Sequence, residues 1–405
     1  MFPRWRTLRH LLRFEPVVWS PTARQLDRAV TVGDLRAMAR RRVPRSVFDY
    51  VDGAADRERG LARTRAVFEN LEFRPRGLRD VSQPDLSVRV LGQRSSLPFA
   101  FAPTGFTRMM HHEGERAMAR VAATRSIPYA LSTLGTTTPE DVAAAAPDAR
   151  RWFQLYVWKD RARSKDLVQR AKAAGFEALI LTIDSAVVGM RRRDVRNGFA
   201  MPPALTVRTV LNAARYPRWW INFLTTEPLT FASLQSWNRP LAEIGNTLFD
   251  TTMSLDDLAW LRGLWDGPLV VKGVMSLEDV ECLTAAGADA LVLSTHGGRQ
   301  LDLSPVPLRL LPQARDLVGD RVELWLDSGI TTGADIVAAH ALGANLTLLG
   351  RAPLYGLMAA GQSGVERAID ILTAETQRQM QLLGVRAITD LEPQHVMLPP
   401  QAGSC

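Results

Sequence analysis

The feature that most constrains the fold of this 405-residue chain is the alternation, after about residue 95, of short apolar runs with helical patterns. Eight runs have the length and composition of buried strands: 97–102, 128–131, 152–157, 178–183, 268–271, 290–293, 322–326 and 346–349. Helical segments between them end at a glycine, at 163–175, 276–287 and 332–343. Alternation of this kind predicts a parallel sheet of the α/β class, and eight strands close a TIM (β/α)8 barrel. An open, doubly wound sheet is the alternative, but no Gly-x-Gly-x-x-Gly turn follows the first strand.

Two parts of the chain lie outside this repeat. Residues 31–80 predict a small N-terminal helical cap, and residues 185–254 form a long insertion after strand four that contains Trp219 and Trp220. An insertion of this length is usually an active-site lid or an interaction surface. Its aromatic content suits a lipid interface, although packing against its own barrel is the alternative. We therefore predict a basic N-terminal segment (1–30), a main domain (31–392) and a C-terminal tail (393–405).

Charge and cysteine content narrow the possible functions. The net charge of +8 comes almost wholly from arginine, since the chain has only four lysines. This excess would favour an anionic lipid surface or nucleic acid, but it is diffuse and no nucleic-acid-binding module is visible. The two cysteines, Cys282 and Cys405, indicate a reducing compartment and exclude a cysteine metal cluster, so no metal site is predicted.

No part of the sequence predicts a membrane span or a signal peptide. A run of about 18 apolar residues is missing, and the N-terminus lacks a cleavage site. The first residues are basic and aromatic, and they are either an amphipathic segment that lies on a membrane or an ordinary chain end. We expect a cytoplasmic protein with possible peripheral contact to the inner face of the plasma membrane.

Polar residues and glycines follow every predicted strand. In a barrel the carboxyl ends of all strands form one rim, and the active sites of TIM-barrel enzymes lie at this rim. The residues at these ends are Pro103, Thr104, Gly105, Ser132, Gln154, Tyr156, Thr182, Asp184, Lys272, Ser294 to Arg299, Asp327 to Gly329, Gly350 and Arg351. The sequence therefore predicts a site at this rim.

The last two strand ends suit an anion. Barrels often hold a phosphate with the loops after strands seven and eight, using backbone N–H groups and a cation. The segments 327–329 and Gly350-Arg351 fit this role, and Arg351 favours an anion over a pair of simple tight turns. Lys272 ends an apolar strand near the barrel mouth, where a fixed cation would stabilise negative charge on a bound cofactor.

The segment after strand six carries a base, two glycines and a cation, at His296, Gly297, Gly298 and Arg299. The histidine can take a proton, the arginine can grip a carboxylate, and the glycines let the backbone approach a flat cofactor.

From about residue 31 to 392 the chain resembles the FMN-dependent α-hydroxy-acid dehydrogenases and oxidases, and it is most similar to their bacterial L-lactate dehydrogenase branch. The matching segments are Phe48 to Ala54, Phe73 to Arg76, Phe153 to Tyr156, Val271 to Val274 and Ser294 to Gln300. The resemblance implies an FMN cofactor and oxidation of an L-2-hydroxy acid, with L-lactate the expected substrate. It also implies a homotetramer.

The resemblance further implies a role for each site residue. His296 would be the base, Asp184 would stabilise its imidazolium form, and Tyr156 would hydrogen-bond the substrate oxygen. The residues expected to bind substrate are Tyr50, Tyr156, Arg191 and Arg299. Those expected to bind FMN are Pro103, Thr104, Gly105, Ser132, Gln154, Tyr156, Thr182, Lys272, Ser294, Asp327, Ser328, Gly329, Thr331, Gly350 and Arg351. Both hydride transfer and a carbanion route are compatible with these residues.

Four positions depart from the family pattern. Thr295 stands where asparagine is usual, and Ser328 replaces a glycine or small residue. Thr331 replaces an arginine that many members direct at the FMN phosphate, so that Arg351 would carry more of that task. Leu134 replaces a tryptophan of glycolate oxidases, which favours lactate or a larger hydroxy acid over glycolate.

The electron acceptor remains open between quinone and oxygen. The basic N-terminus and the tryptophan-containing insertion favour quinone at a membrane surface. A mandelate-type dehydrogenase would share every catalytic residue. A catalytically silent flavin-binding protein is the non-enzyme alternative, and Thr295 is the feature that hints at it.

Overall fold

The predicted barrel is the core of the computed structural model, which describes residues 19–198, 214–227 and 250–400. Eight parallel strands pair in chain order, and the last pairs with the first through Leu348 and Ala100, which closes the barrel. The strands are β1 (Phe99–Thr104), β2 (Tyr129–Ser132), β3 (Arg151–Leu155), β4 (Ala178–Thr182), β5 (Leu269–Val274), β6 (Ala290–Leu293), β7 (Glu323–Leu326) and β8 (Leu346–Leu349). The α/β class and the TIM (β/α)8 barrel are confirmed.

Two strands continue beyond the apolar runs that predicted them. β1 includes Pro103 and Thr104, and β5 runs through Lys272 to Val274. β5 can continue because its register shifts between Lys272 and Val274, at Gly273, whose φ is 105°. Lys272 therefore lies within the sheet, paired with Thr182 and Val292, and not after the strand as predicted.

The barrel interior is filled by side chains. Trp152 of β3 and Trp325 of β7 stack with ring centroids 4.8 Å apart, and both are fully buried. Because β3 and β7 are opposite strands, this contact crosses the interior. The barrel is a packed core and no pore, which leaves the rim as the place for a ligand.

Helices surround the barrel. Those outside the cap and the insertion are Thr107–Met110, Gly114–Thr124, Pro139–Ala145, Arg161–Ala173, Leu277–Ala285, Pro307–Val318, Gly333–Ala341 and Arg351–Leu383. Two of the helices predicted to end at a glycine begin and end as their sequences indicate. Ser276 and Thr332 cap their N-termini, and Gly287 and Gly343 follow their C-termini with φ of 85° and 106°. The long insertion (185–254) includes, in its described part, the helices Arg192–Arg196 and Pro217–Thr225, and the helix Leu255–Leu264 follows it before β5.

Four helices precede the barrel. Pro21–Arg28 lies in the predicted N-terminal segment, and the three helices of the cap are Val32–Arg42, Arg45–Asp52 and Arg59–Glu69. Asp302, from the loop after β6, accepts hydrogen bonds from the backbone N–H groups of Arg57 (3.1 Å) and Gly60 (2.8 Å). This carboxylate satisfies N–H groups at the start of the last cap helix and fixes that helix against the rim.

Short elements complete the described chain. They are the strand pairs Val88–Val90 with Gln93–Ser95 and Glu72–Phe73 with Val396–Met397, and the 3-10 turns His296–Gly298, Ile388–Asp390 and Pro393–His395. Most of the predicted N-terminal segment, much of the insertion and the end of the C-terminal tail lie outside the described residues. Within the described residues, no helix combines the length and apolar content needed to cross a bilayer.

Candidate active site

A cavity of about 650 Å³ lies at the rim, between the strand ends and the cap. Most of the predicted cofactor residues line it: Pro103, Thr104, Gly105, Ser132, Tyr156, Lys272, Asp327, Ser328, Gly329, Thr331, Gly350 and Arg351. Tyr50, Arg191, His296 and Arg299 line the same cavity. The fold therefore brings together residues that are up to 301 positions apart, from Tyr50 to Arg351.

Three predicted cofactor residues lie behind the cavity wall. Gln154 accepts a hydrogen bond from Ser132 Oγ (3.0 Å) and donates one to Thr182 Oγ1 (2.9 Å). Ser294 Oγ accepts from Lys272 Nζ (2.8 Å) and from the His296 backbone N–H (3.0 Å). In this structure Gln154, Thr182 and Ser294 position residues of the wall.

His296 and Asp184 form a partly buried pair. His296 Nδ1 lies 3.1 Å from Asp184 Oδ1 and 3.3 Å from Oδ2. Burial opposes the negative charge of Asp184, but His296 and Lys272 outweigh burial and hold the carboxyl pKa below its ordinary value. The ionised carboxylate accepts the Nδ1 proton, so that Nε2 of His296 is the nitrogen that can take a proton from a ligand.

The turn that carries His296 is strained. His296, Gly297 and Gly298 have φ of 56°, 66° and 74°, and a histidine enters this region only at an energetic cost. Ser328 Oγ accepts the backbone N–H groups of Thr295 (3.1 Å) and Gly297 (3.0 Å) and donates to Asp327 (2.7 Å). Thr295 Oγ1 accepts the N–H of Gly298 (3.2 Å). Two of the departures from the family pattern, Thr295 and Ser328, thus hold the turn in place.

Removing the Ser328 hydroxyl should loosen this turn. We expect Ser328→Ala to lower the free energy of unfolding by about 1–3 kcal/mol, because two backbone N–H groups lose their acceptor. We also expect a fall in kcat. Ser328→Gly loses the same hydroxyl but relieves the φ of 69°, so it should be about 1 kcal/mol more stable than the alanine variant. Denaturant unfolding of both holoenzymes tests this; wild-type stability in the alanine variant would contradict it.

Arg191 and Arg299 flank the ring of Tyr50. Their guanidinium carbons lie 5.8 Å and 4.8 Å from its centroid. Burial, together with the charges of Arg191 and Arg351, lowers the pKa of Arg299 to about 10. The acid beside the pair, Asp194, is 4.0 Å from Arg191, and burial raises its pKa. Two cations beside the same ring in one cavity attract an anion, and a guanidinium can bind a carboxylate through two parallel hydrogen bonds.

Two further side chains give the cavity wall a cation and a hydrogen-bond donor. Lys272 is 4% exposed and pairs with Asp327 (2.7 Å), so a buried cation lies in the wall of the cavity. Burial and the charge of Asp184 raise the pKa of the Tyr156 hydroxyl well above its ordinary value. Tyr156 is therefore a neutral hydroxyl that can donate a hydrogen bond at the cavity.

The cavity fits FMN at its phosphate end. A Cβ at Gly350 would meet no protein atom within 4 Å, so the glycine leaves space on the cavity side. The long helix begins at the next residue without a side-chain cap, and its first N–H groups suit a phosphate. The Arg351 guanidinium differs from the prediction, because it donates to the cap carbonyls of Val51 (2.9 Å) and Gly53 (2.8 Å).

Sequence reasoning missed two positioning residues. Gln300 donates to the carbonyls of Asp184 (2.9 Å) and Val187 (3.0 Å), which fixes the loop after β4 beside His296. Its place in the 294–300 motif was the available signal. Arg193 joins the insertion to the cap through Asp52 (3.0 Å) and Glu58, and nothing in the sequence separates it from its arginine neighbours.

Comparisons with known proteins agree with this geometry. The family model described as FMN-dependent dehydrogenase matches residues 39–398. A Mycobacterium tuberculosis protein provisionally named L-lactate dehydrogenase is 53% identical over 394 residues, which are 97% of this chain and 95% of that one. The L-lactate dehydrogenase of Ectopseudomonas mendocina is 39% identical, covering 88% and 96%. The crystal structure of the monotopic membrane protein (S)-mandelate dehydrogenase superposes with a TM-score of 0.88 at 38% identity, covering 91% and 99%.

Proposed function

Since the chain belongs to the family of FMN-dependent dehydrogenases, we propose that it oxidises L-lactate to pyruvate and delivers the two electrons to a quinone. The observation that carries the proposal is that one rim cavity holds both the His296–Asp184 pair and the cations Arg191 and Arg299. A 2-hydroxy acid presents a hydroxyl group next to a carboxylate, and the cavity offers a group for each. The chain is thus an FMN-dependent oxidoreductase with the residues for this substrate class.

Substrate binding would use the paired cations. Burial and the charge of Arg191 lower the pKa of Arg299, and a carboxylate bound beside the two guanidinium groups would offset both effects. The ring of Tyr50, from the cap, lies beside both guanidinium groups and would cover the bound carboxylate. Binding by the carboxylate leaves the neighbouring hydroxyl group to meet the base.

Oxidation would then begin with the hydroxyl proton. His296 Nε2 accepts it, and the Asp184 carboxylate stabilises the imidazolium that forms. The Tyr156 hydroxyl donates a hydrogen bond to the substrate oxygen. FMN, when bound, supplies the two-electron acceptor that no protein side chain provides. Ser132, Gly329, Gly350 and the buried cation Lys272 would hold it.

Mandelate is the second candidate substrate. The solved (S)-mandelate dehydrogenase shares the fold over 91% of this chain, and Leu134 gives the cavity an apolar wall that would accept an aromatic ring. The substrate class is the same, and the two acids differ in the size of the group beside the hydroxyl-bearing carbon.

Anaerobic addition of L-lactate to the purified yellow protein tests the proposal. We expect loss of the oxidised-flavin absorbance and formation of one pyruvate per flavin. A protein bleached by (S)-mandelate but not by L-lactate would replace the substrate and keep the reaction. A yellow protein that neither acid bleaches would overturn the enzymatic proposal.

The described part of the insertion supports peripheral contact with lipid. In the helix Pro217–Thr225, Ile221 and Leu224 are 59% and 74% exposed. Trp219 stacks on Phe223 with centroids 5.1 Å apart, and its Nε1 donates to the Met109 carbonyl (2.9 Å), which fixes the helix on the barrel. Aliphatic and aromatic side chains in a basic segment suit an anionic bilayer surface. We infer that this helix lies in the lipid interface.

Charges on this helix should weaken membrane binding. We expect the double variant Ile221→Glu/Leu224→Glu to sediment with vesicles containing phosphatidylglycerol about tenfold less than wild type, because two carboxylates would have to enter the interface. Leu382→Glu is the matched control, since Leu382 is 66% exposed on the C-terminal helix. Equal sedimentation of all three proteins would remove the lipid proposal and leave the catalytic one intact.

Two predictions about partners go with this proposal. Quinone is the proposed acceptor because a membrane-bound enzyme meets it in the bilayer, and oxygen would be shown by peroxide formation in air. The homotetramer implied by the family resemblance is measured by light scattering of the purified protein.

A further inference from the structure

The phosphate end of the rim cavity lacks the cation that the family pattern places at position 331. Thr331 carries no charge, and its hydroxyl and backbone N–H both bind Asp335 Oδ2 (3.1 Å and 2.8 Å). The guanidinium of Arg351 is engaged by the carbonyls of Val51 and Gly53 in the cap. Thr331 therefore presents no cation to a phosphate beside Gly329 and Gly350, and Arg351 directs the Nε and Nη2 donors of its guanidinium to the cap.

Arg65, from the last cap helix, occupies this corner. Its Nη1 donates to the carbonyl of Gly329 and to Asp335 Oδ2 (2.8 Å), and the residue lines the same cavity as Gly329, Thr331 and Gly350. The helix is seated closely here: a Cβ at Gly329 would lie 2.7 Å from Thr64 Cγ2. The cap thus brings a guanidinium to the loop that would bind the phosphate.

The Arg65 guanidinium has further N–H groups that can donate hydrogen bonds. Arg65 Nε is 3.8 Å from Glu69 Oε1, beyond hydrogen-bond distance, and within the described residues its Nε and Nη2 make no hydrogen bond. Asp335 does not depend on Arg65, because the N–H groups of Thr331 and Thr332 also bind it (2.8 Å and 2.9 Å). An arginine presents five donors in a planar fork, so a phosphate can be bound without giving up the contacts of Nη1.

We propose that Arg65 binds the FMN phosphate and supplies from the cap the cation that Thr331 does not provide. The cap then takes part in cofactor binding as well as covering the substrate. This role concerns the cofactor and is the same whichever hydroxy acid is oxidised, so it can fail or succeed independently of the proposed substrate.

Flavin binding to the full-length protein tests the role of Arg65. The dissociation constants of FMN and of riboflavin, which lacks the phosphate, are measured by flavin fluorescence. We expect Arg65→Gln to weaken FMN binding by about ten- to hundredfold, as for loss of a charge-assisted contact, and to change riboflavin binding less than twofold. Arg65→Lys should recover part of the FMN affinity, because the charge remains.

Two further variants separate phosphate binding from a purely structural role. Arg63→Gln, on the same helix but bonded to the Ser304 carbonyl (3.4 Å), should bind both flavins as wild type does. Thr331→Arg in the Arg65→Gln background should restore FMN affinity. Equal weakening of FMN and riboflavin by Arg65→Gln would mean that Arg65 only holds the cap, and unchanged FMN affinity would exclude any role; either result overturns the proposal.

Discussion

Replacing His296 with alanine is expected to lower kcat for L-lactate by about 10³-fold, because general-base catalysis by a positioned histidine contributes that much. The flavin absorbance spectrum and the KM should change little, since His296 touches neither the proposed phosphate site nor Arg191 and Arg299. Stopped-flow reduction of the flavin under anaerobic conditions measures the step directly.

Chemical rescue provides the control for the histidine variant. Added imidazole should restore part of the activity of His296→Ala, because the missing ring leaves space beside Asp184, whose carboxyl group can orient an exogenous base. The same additive should not stimulate wild type. Flavin reduction in His296→Ala within tenfold of the wild-type rate would show that another group removes the proton.

Replacing Arg299 with methionine should reduce kcat/KM by about 10²- to 10³-fold, as expected when one partner of a buried charged contact is removed. Methionine keeps much of the side-chain volume, so the cavity wall should stay packed. Arg192→Met is the matched control, since the side chain of Arg192 is half exposed and pairs with Asp56 (3.2 Å). Steady-state kinetics with L-lactate distinguish the two variants; equal kcat/KM values would remove Arg299 from the carboxylate site.

The lowered pKa of Arg299 gives this contact a pH limit. Its positive charge is complete well below pH 10 and is lost as pH rises through about 10, whereas an ordinary arginine stays charged. We therefore expect KM for L-lactate to be flat at neutral pH and to rise through about pH 10, with a smaller change in kcat. A KM that stays flat to pH 11 in brief pH-jump assays would contradict a deprotonating Arg299.

The barrel could be predicted because its information is local. Each buried strand is a short apolar run, and capping residues such as Ser276 and Thr332 mark the helices within a few positions. The extent of β5 could not be predicted, because a charged residue at 272 ends the apolar run while the backbone pairing continues. Pairing depends on the neighbouring strands, which a single run does not reveal.

The candidate site, too, was predictable only where the information is local in the sequence. The rim rule brings Lys272, His296 and Gly350 together from their position after or within strands, whereas Tyr50 and Arg191 came from the resemblance. The contacts of the Arg351 guanidinium with the cap could not be predicted, because its acceptors are carbonyls about 300 residues earlier. No pattern in a sequence marks a carbonyl as the partner of a distant guanidinium.

Main-chain carbonyls of the cap make several of its contacts with the rim. Arg299 donates to the carbonyl of Tyr50, and Arg351 donates to those of Val51 and Gly53, just where the helix Arg45–Asp52 ends. A helix C-terminus carries partial negative charge, so these contacts also offset the repulsion among the clustered arginines. Because carbonyls are present whatever the side chain, the barrel can recognise the cap without specifying much of its sequence. Substitutions that reshape the roof of the substrate pocket are therefore compatible with an unchanged docking of the cap.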